Sequence, residues 1–276
     1  MWRLAAEDKM EDIRTFDKIK KYFLDRKYVL LLLFWVVHVV WYFVLNSSLT
    51  DEACHLMHIP LDDKIPYVKY FVIPYVMWYG YIAFAHIWTF FHSKRDFVVM
   101  CCLIFLSNLI SILIFTIYPT MHDMRPAEDV IGYDFFGSIV RWLYGTENPY
   151  CIMPSEHCML AIVITVGLIC SDSLKGNWFV RIACPIYTVL VMLSTVFIKQ
   201  HSIVDVFTAA GICVPICLVT YFVICPRKRF APKTQDVPES EADPAPSEVL
   251  ESPAEEAEPN LTEEPEAIDP LTDDEE

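Results

Sequence analysis

Six apolar runs, at 28–45, 70–91, 97–118, 156–171, 178–198 and 203–225, constrain this chain more than anything else in it. A helix of about 18–25 apolar residues crosses a hydrocarbon core of about 30 Å. The fourth run is the shortest. The chain is 55% hydrophobic, against about 45–50% for soluble domains. The runs predict an all-α fold, a six-helix transmembrane bundle over 28–226. They leave a cytoplasmic N-terminal segment, 1–27, and a basic anchor with an acidic tail, 227–276.

The net charge of −15 is concentrated at one end, because 231–276 hold 17 acids against one lysine. The rest of the chain is therefore close to neutral. That tail also carries eight prolines and no aromatic residue. Such a composition cannot bury enough apolar surface to offset its ordering entropy, so it reads as disordered, with an unknown partner or none. Lys and Arg set the orientation. Placing both termini inside gives 16 basic residues on the inner segments and 5 on the outer ones, the positive-inside pattern. Arg227, Lys228 and Arg229 then anchor the last helix. Most of the ten cysteines lie inside the apolar runs, where Cys behaves as a small hydrophobe. Cys54 and Cys151 lie in outer loops and are the pair open to a bridge. No CxxC spacing is present, and the first 27 residues, charged and without an apolar core of the right length, do not read as a cleavable signal peptide.

Three polar stretches share the outer face in this arrangement: 118–129 (YPTMHDMRPAED), 151–160 (CIMPSEHCML) and 197–206 (FIKQHSIVDV). His201 and Asp205 are four apart, on one face of a helix. A carboxylate there fixes the imidazole tautomer and raises the basicity of the free nitrogen. It is also an expensive residue inside an apolar run, and a functional candidate for that reason. Pro154 and Ser155 suit the start of a helix, whose free N–H groups can seat a phosphate, with His157 pointing into the same region. Arg125, stiffened by Pro126, offers a guanidinium matched to phosphate. Each of these also has a plain structural reading: a His–Asp cap, an ordinary N-cap, a solvated loop charge. Together they are the parts needed to move a phosphoryl group without a metal.

The segments RP at 125–126, PSEH at 154–157 and STVFIKQHSIVD at 194–205 resemble the three motifs of the type-2 phosphatidic acid phosphatase superfamily, KxxxxxxRP, PSxH and SRxxxxxHxxxD. The resemblance implies that His201 is a nucleophile forming a phosphohistidine, that Asp205 orients it, and that His157 protonates the leaving group. It implies that Arg125 and Ser155 bind phosphate, with no metal and no cofactor. Tyr118 stands where the first motif has lysine, and Thr195 where the third has arginine. Lys199 and Arg141 are candidates to replace those cations, Lys199 as a phosphate ligand. The thinner set, with 59–79 (IPLDDKIPYVKYFVIPYVMWY), looks more like the inositol phosphorylceramide and sphingomyelin synthase branch, where an alcohol often accepts the headgroup. Fewer cations fit a phosphodiester substrate.

The expected activity is therefore a lipid phosphatase or headgroup phosphotransferase, embedded in the membrane, with a lipid substrate and no nucleic-acid partner. The alternative is a non-catalytic transporter or scaffold of the same fold. A cytidine-diphosphate-alcohol transferase needs DGxxAR and GxxxDxxxD, which are absent. His38 and His86 read as packed core residues, Asn108 and Ser111 as interhelical hydrogen bonders, and His122 with Asp123 as a solvated loop pair. Asn46-Ser47-Ser48 is a sequon set too near the membrane for use.

Overall fold

The computed structural model describes Lys21 and residues 26–227. The chain divides into two units, Met1–Ala231 and Pro232–Glu276. The second unit lies outside the described residues, as do 1–20, Lys228 and Arg229, so the expected disordered tail and most of the basic anchor lie there too.

The described part is mostly helical. A 3-10 turn, Lys27–Leu33, leads into α1 (Phe34–Ser48). There follow α2 (Val72–His92), α3 (Lys94–Ile117), two outer-loop helices α4 (Glu128–Ile131) and α5 (Phe135–Thr146), then α6 (Glu156–Ile169), α7 (Trp178–Phe197) and α8 (Ile203–Leu218). A π-helical segment, Val219–Ile224, continues α8. Two short parallel strands, β1 (His55–Leu56) and β2 (Thr120–Met121), tie the loops before α2 and after α3.

Among the described residues, five helical spans are long and apolar enough to cross a membrane: Lys27–Ser48, Lys69–His92, Lys94–Ile117, Trp178–Phe197 and Ile203–Ile224. The chain is built as a multi-pass membrane protein. The sixth expected span, α6, is an apolar helix of only 14 residues. Its reason is positional. Leu160, Val163, Ile164 and Leu168 are buried with residues of α2, α3, α7 and α8 in one core, and a helix apolar on every side belongs inside the bundle. At 1.5 Å per residue it spans about 21 Å. Its neighbours close in where side chains are small: a Cβ on Gly167 would lie 2.7 Å from Met100 Cε of α3. In a bilayer such contacts and interhelical hydrogen bonds hold helices together, because the lipid is as apolar as the side chains. Tyr81 Oη and Thr165 Oγ1 lie 2.7 Å apart, and Thr165 Oγ1 and Thr188 Oγ1 2.6 Å, joining α2, α6 and α7. Ser111 of α3 donates to Ser107 O and reaches Met159 Sδ. Asn108, expected to bond across helices, is buried with neither side-chain atom hydrogen-bonded.

Caps fix the helix starts. Ser93 accepts from Asp96 N at the head of α3, Asp134 from Gly137 N at α5, and Asn177 from Phe179 N and Val180 N at α7. On the side opposite the motifs, Asp96 takes Ser171 Oγ and the amides of Asp172 and Ser173, while Arg95 and Arg227 both reach Asp172. The helix α1 is packed differently. Its two buried residues are His38 and Asn46, both polar, and Val36, Val37, Val40, Phe43 and Val44 face outward.

Candidate active site

The starts of α6 and α8 meet. Ser155 is the N-cap of α6, its Oγ accepting from Cys158 N at 3.4 Å, and its own amide donates to Asp205 O at 3.3 Å. Ser202 is the N-cap of α8, and Asp205 returns a carboxylate oxygen to Ser202 N at 2.9 Å, completing a capping box. The same oxygen, Oδ2, lies 3.3 Å from His201 Nδ1. Asp205 thus caps the helix and also orients the imidazole. Its other oxygen is buried without a hydrogen-bond partner.

The turn before His201 is made by Lys199, which takes a left-handed φ of 55°. That turn lets Gln200 N and His201 N both donate to Thr195 O and points Gln200 and His201 into the site. It also turns the Lys199 ammonium away. Lys199 Nζ donates to the carbonyls of Asp62 and Ile65 at 2.7 and 2.6 Å, and burial lowers its pKa. Lys199 is therefore a loop pin, and it is not among the residues lining the site cavity. Arg141 is also elsewhere: it donates to Gly132 O and Ser138 Oγ and lies over the Tyr133 ring. Tyr118 stacks on His55, ring centroids 4.0 Å apart.

His157 and His201 come together. Their ring centroids are 5.9 Å apart, and both line a cavity of about 560 Å³. His157 is clamped between Tyr75 and Trp78, at 4.2 and 4.1 Å between centroids. Its Nε2 is buried without a hydrogen-bond partner, and its Nδ1 lies 3.5 Å from Tyr75 Oη. Tyr75 donates its own proton to Glu147 Oε2 at 2.7 Å, so a proton on His157 Nδ1 points at the phenol oxygen and Nε2 is left to exchange protons.

Arg125 reaches this centre through Gln200. Its Nε and Nη2 donate to Gln200 Oε1 at 3.2 and 2.9 Å, and Gln200 Nε2 donates to Glu147 Oε2 at 2.8 Å. Its remaining bonds go to Tyr144 O and Glu147 O, at 3.0 and 2.6 Å, and it sits over the Tyr144 ring. Most of its N–H groups are thus committed within the protein. Burial lowers its pKa, opposed by Tyr144 and Glu147. His122, expected to be solvated, is buried. Burial first, then Arg125 and His201, push its pKa down to about 3. Its neighbour Asp123 faces outward and meets His58, which also holds Asp63.

Tyr75, Glu147, Gln200 and the pair His38–Glu156, 3.4 Å apart, line the cavity and were not singled out by sequence as site residues. Glu156 is the variable position of PSEH, and Gln200 the residue before the motif histidine; both carry a local signal. Glu147 lies in an outer loop and carries none. Asp62 is a further structural member: buried, it accepts from Ser202 Oγ, Ile203 N and Ile59 N at 2.7, 2.9 and 3.0 Å. Cys54 and Cys151 are both free thiols, so no bridge joins them. Asn46 is buried against Asn148 and Tyr150 O and does not present the sequon outward. His86 is a packed core residue, bonded to Ile82 O and Trp35 Nε1. Comparison with family models, curated proteins and solved structures returns no match.

Proposed function

We propose that this chain is a membrane-embedded, metal-independent lipid phosphatase or phospholipid headgroup phosphotransferase of the type-2 phosphatidic acid phosphatase kind. The observation that carries the proposal is the pair of imidazoles, 5.9 Å apart on one cavity, one of them backed by a buried carboxylate. In the reaction His201 Nε2 attacks phosphorus as the P–O bond to the leaving alcohol breaks. His157 gives its proton to that oxygen. The phosphohistidine then passes its phosphoryl group to water or to a second alcohol, which His157 deprotonates. Asp205 holds the His201 ring, and Ser155 holds the start of α6 beside it. Arg125, bonded to the cavity residue Gln200, supplies a fixed positive charge.

The basic-residue asymmetry supports placing this end of the bundle on the extracytoplasmic side, with both termini in the cytoplasm. One observation favours the non-catalytic reading instead: Arg125 and Lys199 spend their donors on protein oxygens. The test separates them. Purified protein in detergent with EDTA is given headgroup-labelled phospholipids and phosphatidic acid, with diacylglycerol and ceramide present and His201→Ala as control. Free labelled phosphate, lost in the variant, means a hydrolase; label on a new lipid means a transferase. Equal, background-level label in both proteins sinks the enzymatic reading.

A further inference from the structure

The helix α5 lies outside the membrane-crossing spans, yet it leaves its largest apolar side chains uncovered. Gly137, Val140 and Leu143 face inward, the last two packed with Val72 and Tyr75 of α2, Ile131 of α4 and Ile198 at the end of α7. Phe135, Ser138, Trp142, Gly145 and Thr146 are exposed. At about 3.6 residues per turn those positions fall within about a third of the helix circumference. Phe135 is 73% and Trp142 59% exposed, and Tyr133, just before the helix, is 81% exposed. This face carries no charge. Arg141, the one charged residue of α5, is turned to Gly132 O, Ser138 Oγ and the Tyr133 ring. The two hydroxyls on the face are spent on their own helix: Ser138 donates to Asp134 O and Thr146 to Leu143 O, both at 2.9 Å.

Two contacts fix the depth of α5. Phe136 meets Tyr70, at the start of the span Lys69–His92, with ring centroids 5.0 Å apart. Tyr144 Oη donates to Ile198 O, directly after the span Trp178–Phe197. The helix is thus tied at both contacts to a place where an apolar span begins or ends, which is the boundary between hydrocarbon and headgroups. Aromatic side chains gather at that level, and an amphipathic helix there lies along the surface with its apolar face in the upper acyl region. Tyr70 is itself exposed, as are Ile73 and Met77 further along its span, so the uncovered surface of α5 adjoins one that faces lipid.

We propose that α5 is an interfacial helix, with Phe135 and Trp142, and Tyr133 beside them, seated in the lipid surface at this end of the bundle. A face without charge or spare hydrogen-bond donors, set at the ends of two spans, fits lipid as its partner. Trp142 belongs both to this face and to the lining of the cavity that holds His157 and His201, so a lipid held against the face meets the cavity at Trp142. The seating stands on the fold; its bearing on turnover rests on the reaction above.

The first measurement is tryptophan quenching in the full chain in phosphatidylcholine nanodiscs. Emission of the wild-type protein less that of Trp142→Phe isolates Trp142 from the other six tryptophans. Phe135→Trp adds a second reporter on the same face. Each reporter is expected to lose at least about half its emission to lipids brominated near the top of the acyl chains, and less to lipids brominated near the chain ends, because a seated face enters only about 5–10 Å. Quenching by aqueous iodide and not by brominated lipid puts the face in water and overturns the inference. Quenching by neither means that protein, such as a second copy, covers the face, and overturns it too. Turnover separates the two levels. Phe135→Ser is expected to raise KM for lipid in the disc about tenfold and to leave KM for a short-chain, water-soluble analogue within about twofold; a KM for disc lipid that stays unchanged overturns the link between face and site. Lipid-quenched Trp142 with no lipid turned over keeps the seated helix and overturns the reaction. Turnover with iodide-quenched Trp142 keeps the reaction and overturns the seated helix.

Discussion

Two neighbouring aspartates, Asp62 and Asp63, are expected to respond to the same substitution in opposite ways. Asp62 is 1% exposed and accepts three hydrogen bonds, one at Oδ1 from Ile203 N and two at Oδ2 from Ser202 Oγ and Ile59 N. An asparagine there keeps one oxygen, so whichever way the amide sits, at least one buried donor faces an NH2 group. Losing a charge-assisted bond and stranding its donor costs about 1–3 kcal/mol, and removing an anion from the first turn of α8 adds about 0.3–1 kcal/mol. The sum is about 3 kcal/mol, or about 6–12 °C of Tm at about 2–4 °C per kcal/mol for a domain of this size. Asp63 has a side chain 68% exposed and shares His58 with Asp123. Asp63→Asn is expected to cost under about 1 kcal/mol. The assay is thermal unfolding of purified Asp62→Asn and Asp63→Asn in the same detergent, with lipid turnover measured alongside. Because Asp62 holds the residue after His201, Asp62→Asn is expected to lose turnover as well. If the two variants melt within about 2 °C of each other, Asp62 does not anchor α8 and the reasoning fails.

Other outcomes follow from the same geometry. Asp205→Asn removes the carboxylate from His201 Nδ1 and is expected to lower kcat about 100-fold with KM little changed; a kcat within threefold of wild type removes Asp205 from the mechanism. His122 has a folded-state pKa near 3 against an ordinary 6.5. Between those values the unfolded chain takes up a proton that the folded chain refuses, so stability falls as pH drops from about 6.5 toward 3, by up to about 1.4 kcal/mol per pH unit. His122→Asn is expected to flatten that part of a Tm-against-pH curve, and an unchanged slope contradicts the burial. Gly167→Ala sets a methyl 2.7 Å from the mobile end of Met100. It is expected to cost about 1 kcal/mol, and Gly167→Val about 3 kcal/mol, as overpacking does; a Val variant as stable as wild type means the helices do not touch there.

The expected helices at 70–91, 97–118 and 178–198 lie within a few residues of α2, α3 and α7, because long apolar runs bounded by Ser93 and Asn177 leave little choice. The run at 203–225 is split between α8 and its π-helical continuation, a hydrogen-bonding shift that an apolar pattern does not encode. The pairing of His201 with Asp205 was legible from their four-residue spacing, although His201 stands just before the N-cap Ser202 and meets Asp205 across the start of α8. The role of Lys199 was not. A lysine two residues from the motif histidine looks like a phosphate ligand, but its left-handed φ reverses the chain and sends the ammonium to Asp62 O and Ile65 O. Glu147 and Tyr75 were invisible for another reason. They are 72 positions apart and meet through tertiary packing alone, and in sequence one is a loop acid and the other an aromatic in an apolar run. His122 misled by its company: beside Asp123 it reads as solvated, yet the two side chains go to opposite sides of the loop.

The shortness of α6 bears on how such a protein is made. A helix of 14 residues, about 21 Å long, is shorter than a hydrocarbon layer of about 30 Å, and its sides are covered by neighbouring helices of the bundle. Its apolar surface is satisfied by the helices that surround it in the bundle. His157 rides on this helix while His201 follows the next one in the chain. The two imidazoles therefore meet only in a chain that includes α7, and a nascent chain that still lacks α7 and α8 holds no imidazole pair.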